Sequence, residues 1–206
     1  MIKMIRPVIL ISTLLMYSCS STKIASSWHD PNKQISIEKL NKVLVVAFLR
    51  TETNSRNAED EMVSYLHGKG VASYNYFGKK FNPENENSIR EKTREGGFDG
   101  AVTLRLINVD KEQVYQPGNF ASYPVYYHSF SSYFFRSSPY ASSPGYYETT
   151  KTYTFETNVY SLKENKIIWT GVTKSVNPDG VAKMTKEISK VVYKSMVKEG
   201  FIEARP

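Results

Sequence analysis

The chain has 206 residues, with 27 Lys and Arg against 20 Asp and Glu, and a single cysteine. One cysteine excludes an intrachain disulfide framework and a thiolate metal cluster, so the fold must stand on its core. The positive charges are interleaved with acids, as in Arg90-Glu91-Lys92 and Lys183 through Lys198, which argues against a nucleic-acid footprint.

The first residues carry Lys3 and Arg6 and no acid, and the apolar run from Pro7 to Met16 is broken only by Ser12 and Thr13. About ten residues is half of what a bilayer span requires, so the pattern reads as a secretory signal. Leu15-Met16-Tyr17-Ser18-Cys19 resembles the bacterial lipobox, in which lipid is attached to the cysteine thiol and the signal is cut before it, here between Ser18 and Cys19. An incidental or buried cysteine and a signal-anchor helix are the alternatives; the polar run Ser20-Ser21-Thr22-Lys23 favours lipidation at Cys19. Without residues 1–18 the charge balance is 25 against 20, or +5. Two or three acyl chains hold a soluble domain firmly on a membrane. The residue after the cysteine is Ser20 and not the Asp that retains many lipoproteins at the inner membrane, so the inner leaflet of the outer membrane, facing the periplasm, is the expected location.

Residues 19–41 read as a lipidated polar tether with a turn at Asp30-Pro31-Asn32 and with Trp28 plugged into the domain. The domain itself spans 42–202. Lys42 to Leu49 is an unbroken apolar run and predicts a central strand covered on both faces. A helix follows over Ser55 to Lys69, then a strand over Val71 to Phe77. Asn82-Pro83-Glu84 predicts the start of a second, weak helix that ends at Gly96-Gly97. Ala101 to Val109 is a third strand. The hairpin Tyr153–Val159 and Ile167–Val176 comes next, and a helix from Asp179 to Glu199, striped with Val181, Met184, Ile188, Val192 and Met196, ends at Gly200. The expected class is α/β, a mixed sheet of about five strands in the order β-α-β-α-β-(insertion)-β-β-α, packed against three helices.

Between the third and fourth strands, residues 116–149 hold seven of the 15 tyrosines. Tyr123, Tyr126, Tyr127, Phe130, Tyr133, Phe134, Phe135, Tyr140, Tyr146 and Tyr147 make up the candidate partner or ligand surface. Aromatic side chains with a polar handle suit protein interfaces, saccharide stacking and membrane headgroups. The bland readings are a longer hairpin whose aromatics pack on each other or over the sheet, and local disorder.

No chemistry assembles in the linear sequence. His29, His67 and His128 have no metal spacing, so no metal or cofactor is expected. There is no G-x-S-x-G elbow. His29-Asp30 reads as a solvated dipeptide, and His67, Arg90 and Arg94 as helix surface.

Three segments, Ser26-Ser27-Trp28-His29-Asp30-Pro31, Lys42-Val43-Leu44-Val45-Val46 and Phe98-Asp99-Gly100-Ala101, together with the lipobox, resemble a family of Gram-negative envelope lipoproteins known as a domain of unknown function. The element order is similar to that of lipoprotein activators of penicillin-binding proteins, the amino-terminal domain of the Tol-system propeller protein and the core of the curli-secretion lipoprotein. That resemblance implies a protein-binding α/β module with another envelope protein as partner, and it carries over one residue only, the lipidated Cys19. The expected activity is therefore non-enzymatic interaction. Binding of a lipid, glycan or small apolar ligand through the aromatic insertion is the alternative.

Overall fold

The apolar run after Lys42 organises everything around it. In a computed structural model, which describes residues 21–78, 85–116, 129–137 and 145–203, it forms β2 (Val43–Phe48), an inner strand next to one edge of a six-stranded sheet. The other strands are β1 (Thr22–His29), β3 (Gly70–Ala72), β4 (Gly100–Gln116), β5 (Tyr146–Ser161) and β6 (Lys166–Val176), in the order β1-β6-β5-β4-β2-β3. β2 lies parallel to β3 and β4, and every other pairing is antiparallel.

Because side chains alternate along a strand, Val43, Val45 and Ala47 face one helical layer, and Leu44 and Val46 the other. The first layer holds α1 (Glu52–Ser64) and α5 (Val181–Lys198), under which Val45, Leu104, Phe155, Trp169, Ile188 and Phe201 are buried. The second layer is smaller: α2 (Ser73–Phe77) and α3 (Glu86–Glu95) close over Leu44, Phe98 and Ala101, with the Tyr76 ring edge-on to Phe98 at 4.8 Å. A fifth helix, α4 (Phe130–Ser137), lies between β4 and β5. Gly171 sits under the indole of Trp169, where a Cβ would come within 2.2 Å of the ring. Gly200, at φ +73, ends α5 where the periodicity predicts.

The α/β class holds, and four expectations are corrected. The sheet has six strands and not five, because residues 22–29 of the expected tether pair along β6 from Thr22↔Ser175 to His29↔Trp169. Among the described residues, five α-helices stand where three helices are predicted. The strand expected over Val71 to Phe77 stops at Ala72 and turns into α2. The second predicted helix starts later than its Pro signal: Asn85 caps α3 by accepting from Ser88 N at 3.0 Å, and Asn82 and Pro83 lie outside the described residues.

The cause of the turn at Ala72 is Glu59. Its buried carboxyl accepts from Ala47 N at 3.0 Å, from Ser73 Oγ at 2.7 Å and from Tyr74 N at 3.3 Å. Ala47 lies beyond the last β2–β3 pair, so the carboxyl takes up a donor that the short β3 leaves unpaired. It also caps α2, whose own N-cap, Ala72, has no side-chain oxygen to offer. Glu59→Ala leaves these donors buried, and a cost of about 3 kcal/mol is expected in urea unfolding; a change within about 0.5 kcal/mol, as for an ordinary surface position, contradicts this role.

Candidate functional site

The β4–β5 ladder continues beyond its neighbours, with one register shift between Leu106 and Asn108. β2 ends at Phe48 opposite Arg105, and β6 ends at Val176 opposite Thr152, yet β4 and β5 pair as far as Gln116↔Tyr146. The last six residues of β4 therefore form a free two-stranded arm about 20 Å long. The arm replaces the outer parts of the expected insertion: Tyr146 and Tyr147 are strand residues, and the Tyr115 ring packs 5.2 Å from that of Tyr147. Phe130, Tyr133 and Phe134 are exposed on α4, with Phe130 and Phe134 5.9 Å apart one turn along; Phe135 also belongs to α4. Tyr123, Tyr126, Tyr127, Tyr140, His128, Ser18 and Cys19 lie outside the described residues.

A second surface follows from register alone. On the face opposite α1 and α5, the pairings align Trp28, Thr170, Asn158, Thr103 and Val46 in one row across five strands. Ser26, Val172, Glu156, Arg105 and Phe48 align in the next. Among the described residues, the helices on this face pack only at the β2–β3 corner. Trp28 is 50% exposed and Phe48 58%, so Trp28 is not plugged into the domain as expected; it caps the free face at its edge. Thr170 Oγ1 donates to Asn158 Oδ1 at 2.6 Å, and Arg105 lies 3.3 Å from Glu156, which pairs the polar groups at the centre of this face.

At the pole away from the arm, α1, α5 and the sheet enclose an apolar cavity of about 290 Å³ lined by Ile37, Leu40, Met62, Tyr65, Val192 and Met196. Lys39 and Lys163 stand among the residues at its polar margin. Burial, helped by the charge of Glu61, pushes the Tyr65 phenol above its usual value.

The same pole holds the one place where serine, histidine and carboxylate meet among the described residues. Glu199 accepts from Ser27 Oγ at 2.6 Å, Ser195 Oγ at 2.6 Å and Trp169 Nε1 at 2.8 Å, and His29 Nδ1 lies 3.8 Å away. Both hydroxyls are spent on the carboxylate and not on the imidazole, so the nucleophile–base contact that hydrolysis requires is not made. The cluster fastens β1 and α5 onto β6. Asp30 is fastened too: the Asn32 backbone amide and then Lys166 hold its carboxyl below the usual range, and Lys33 pairs with Glu164. Among the described residues, no three His, Cys, Asp or Glu side chains could share a metal ion. No described helix is long and apolar enough to cross a membrane. His67 falls beyond the end of α1, at φ +49.

No protein-family model matches this sequence, and no curated protein matches it significantly. Among solved structures, the PelC dodecamer from Paraburkholderia phytofirmans aligns at 9% identity and a TM-score of 0.44, over 87% of this chain and 99% of that one. TolB from Acinetobacter baumannii aligns at 12% identity and 0.35, over 86% of this chain and 31% of that one. Lipoprotein GNA1162 from Neisseria meningitidis aligns at 8% and 0.39, over 76% and 98%. A Tol protein and a lipoprotein are among these structural neighbours, and the expected lipoprotein family itself finds no match.

Burial raises the Glu199 carboxyl, but the bonds from Ser195, Ser27 and Trp169 and the charge of His29 outweigh it, and the net shift is downward. A carboxylate depressed in the folded state contributes stability above its ordinary value of about 4.5, and that contribution is lost as pH falls through the lower folded value. Glu199→Gln should therefore melt at a lower temperature than the native chain at pH 7, with the gap closing below about pH 4. Thermal midpoints measured from pH 7 to 3 check this; a gap that persists unchanged to pH 3 contradicts it.

Proposed function

We propose that the chain is a lipoprotein held by Cys19 on the periplasmic side of the outer membrane, where it acts as a non-enzymatic protein-interaction module. The observation that carries this reading is the free sheet face, which presents Trp28 in one row and Val172 and Phe48 in the next. A sheet face that sets exposed aromatic side chains beside paired polar groups suits a protein surface. Depletion of free charge favours it further: Arg105 and Glu156 neutralise one another within it. The Glu199 cluster, which stitches β1 into the sheet, supports the non-enzymatic part of the reading, since its serines serve the carboxylate.

One observation favours the ligand-binding alternative, and it moves that alternative away from the aromatic insertion. An apolar cavity of about 290 Å³ at the far pole has the size and lining of a small-molecule site.

Trp28→Asp combined with Val172→Asp should leave circular dichroism unchanged and reduce at least tenfold the yield of an envelope protein photo-crosslinked in cells to a probe at Thr170. An undiminished crosslink rejects the sheet face. Native mass spectrometry of the chain extracted from membranes discriminates the alternative: a retained hydrophobic molecule lost on Met62→Trp, with no crosslinked protein, favours the cavity.

A further inference from the structure

The two faces of the arm carry opposite charge. On one face Lys111 stands directly opposite Lys151, Gln113 opposite Thr149 and Tyr115 opposite Tyr147. On the other, Asp110 stands opposite Thr152, Glu112 opposite Thr150 and Val114 opposite Glu148. The first face therefore holds two lysines, two tyrosines and no acid; the second holds three acids and no base. Like charges directly opposite in a ladder repel. Nothing within the described part of the arm offsets the Lys111–Lys151 pair, since the acids nearest in sequence project from the other face. Both lysines and both tyrosines are exposed.

The position of the anchor bears on what meets this face. Thr22 pairs with Ser175, which pairs with Tyr153, which pairs with Val109. The chain thus enters the sheet level with the base of the arm. β1 then runs away from the arm, towards His29. Only Ser20 and Ser21 separate Thr22 from Cys19, so the cysteine lies within about 11 Å of Thr22. The arm reaches from Val109 to Gln116, about 23 Å beyond that level. An arm standing upright on the membrane that Cys19 enters would push charged, unpaired ribbon edges some 12 Å past the anchor, into hydrocarbon that does not tolerate them. The arm has to lie along the surface, and one of its faces meets the headgroups.

We infer that the Lys111–Lys151 and Tyr115–Tyr147 face of the arm rests on the anionic headgroup layer of the bilayer that holds Cys19. Lysine ammonium groups pair there with lipid phosphates, and tyrosines favour the same interfacial depth. This contact rests on the lipoprotein reading above. It sets the strand axis along the membrane, with the cavity at the end of the domain away from the arm.

The acylated full chain, in vesicles of phosphatidylethanolamine with and without phosphatidylglycerol, supplies the test. Thr149→Cys and Thr150→Cys place a thiol probe on opposite faces of the arm, and acylation leaves no other thiol to label. On anionic vesicles, the expected result is severalfold weaker quenching by aqueous iodide at 149 than at 150, with the difference abolished by Lys111→Glu and Lys151→Glu together. Equal quenching at both positions in an acylated, vesicle-bound chain overturns the arm contact and leaves the anchor reading intact. So does a photo-crosslink from position 149 to a protein in place of lipid. Absence of an acyl group on Cys19 overturns both.

Discussion

The arrangement depends on one buried carboxyl. Glu59 sits on α1, yet its hydrogen bonds run to the end of β2 and to the start of α2. It thereby fixes three things at once: where β3 stops, the direction in which the chain leaves the sheet, and the face on which the next helices pack. β3 is three residues long because the backbone after Ala72 is worth more as the capped start of a helix than as further ladder. Tyr76 and Phe77 then reach the second apolar cluster from α2, which could not happen if the strand continued and sent alternate side chains to opposite faces.

That choice decides how much of the sheet is covered. The helices α2 and α3 occupy the corner over β2 and β3, while α1 and α5 cover the opposite face. The antiparallel half, β4 to β1, is left with one packed face and one free face, as antiparallel sheets permit. In the parallel half both faces are covered as far as Ala47, which is why β2 is apolar while β5 and β6 alternate.

Much of this was legible in the residues. The unbroken run in β2, the period-two hairpin of β5 and β6 and the stripe and terminal glycine of α5 are local patterns with large apolar content, and they appear where expected. β1 was not legible: its Thr, Ser and Lys residues give no apolar alternation, because the strand lies at an edge and contributes only Ile24 to the main cluster. The outer arm escaped for a related reason. A ribbon with no core face needs no hydrophobic period, so the predicted strand stops at Val109, short of Lys111 to Gln116. The strand-forming Val71, Tyr74, Tyr76 and Phe77 misled in the other direction, since Glu59 overrides their preference from another element. The rows on the free face, and the charge division of the arm, depend on register between strands up to about 150 residues apart, which no local pattern encodes.

The edge position of β1 also has a mechanical meaning. If Cys19 is anchored as proposed, force between that anchor and a partner seated on the domain would pass through the amino end of β1 along its own axis. The ladder bonds to β6 lie across that axis, from Thr22↔Ser175 to His29↔Trp169, and so they share the load together in shear and do not open one at a time. The side chains at both ends of the strand add transverse fastenings, Thr22 to Glu187 at 2.9 Å and Ser27 to Glu199. A strand that composition presents as slack tether is thus the element through which the domain can bear tension.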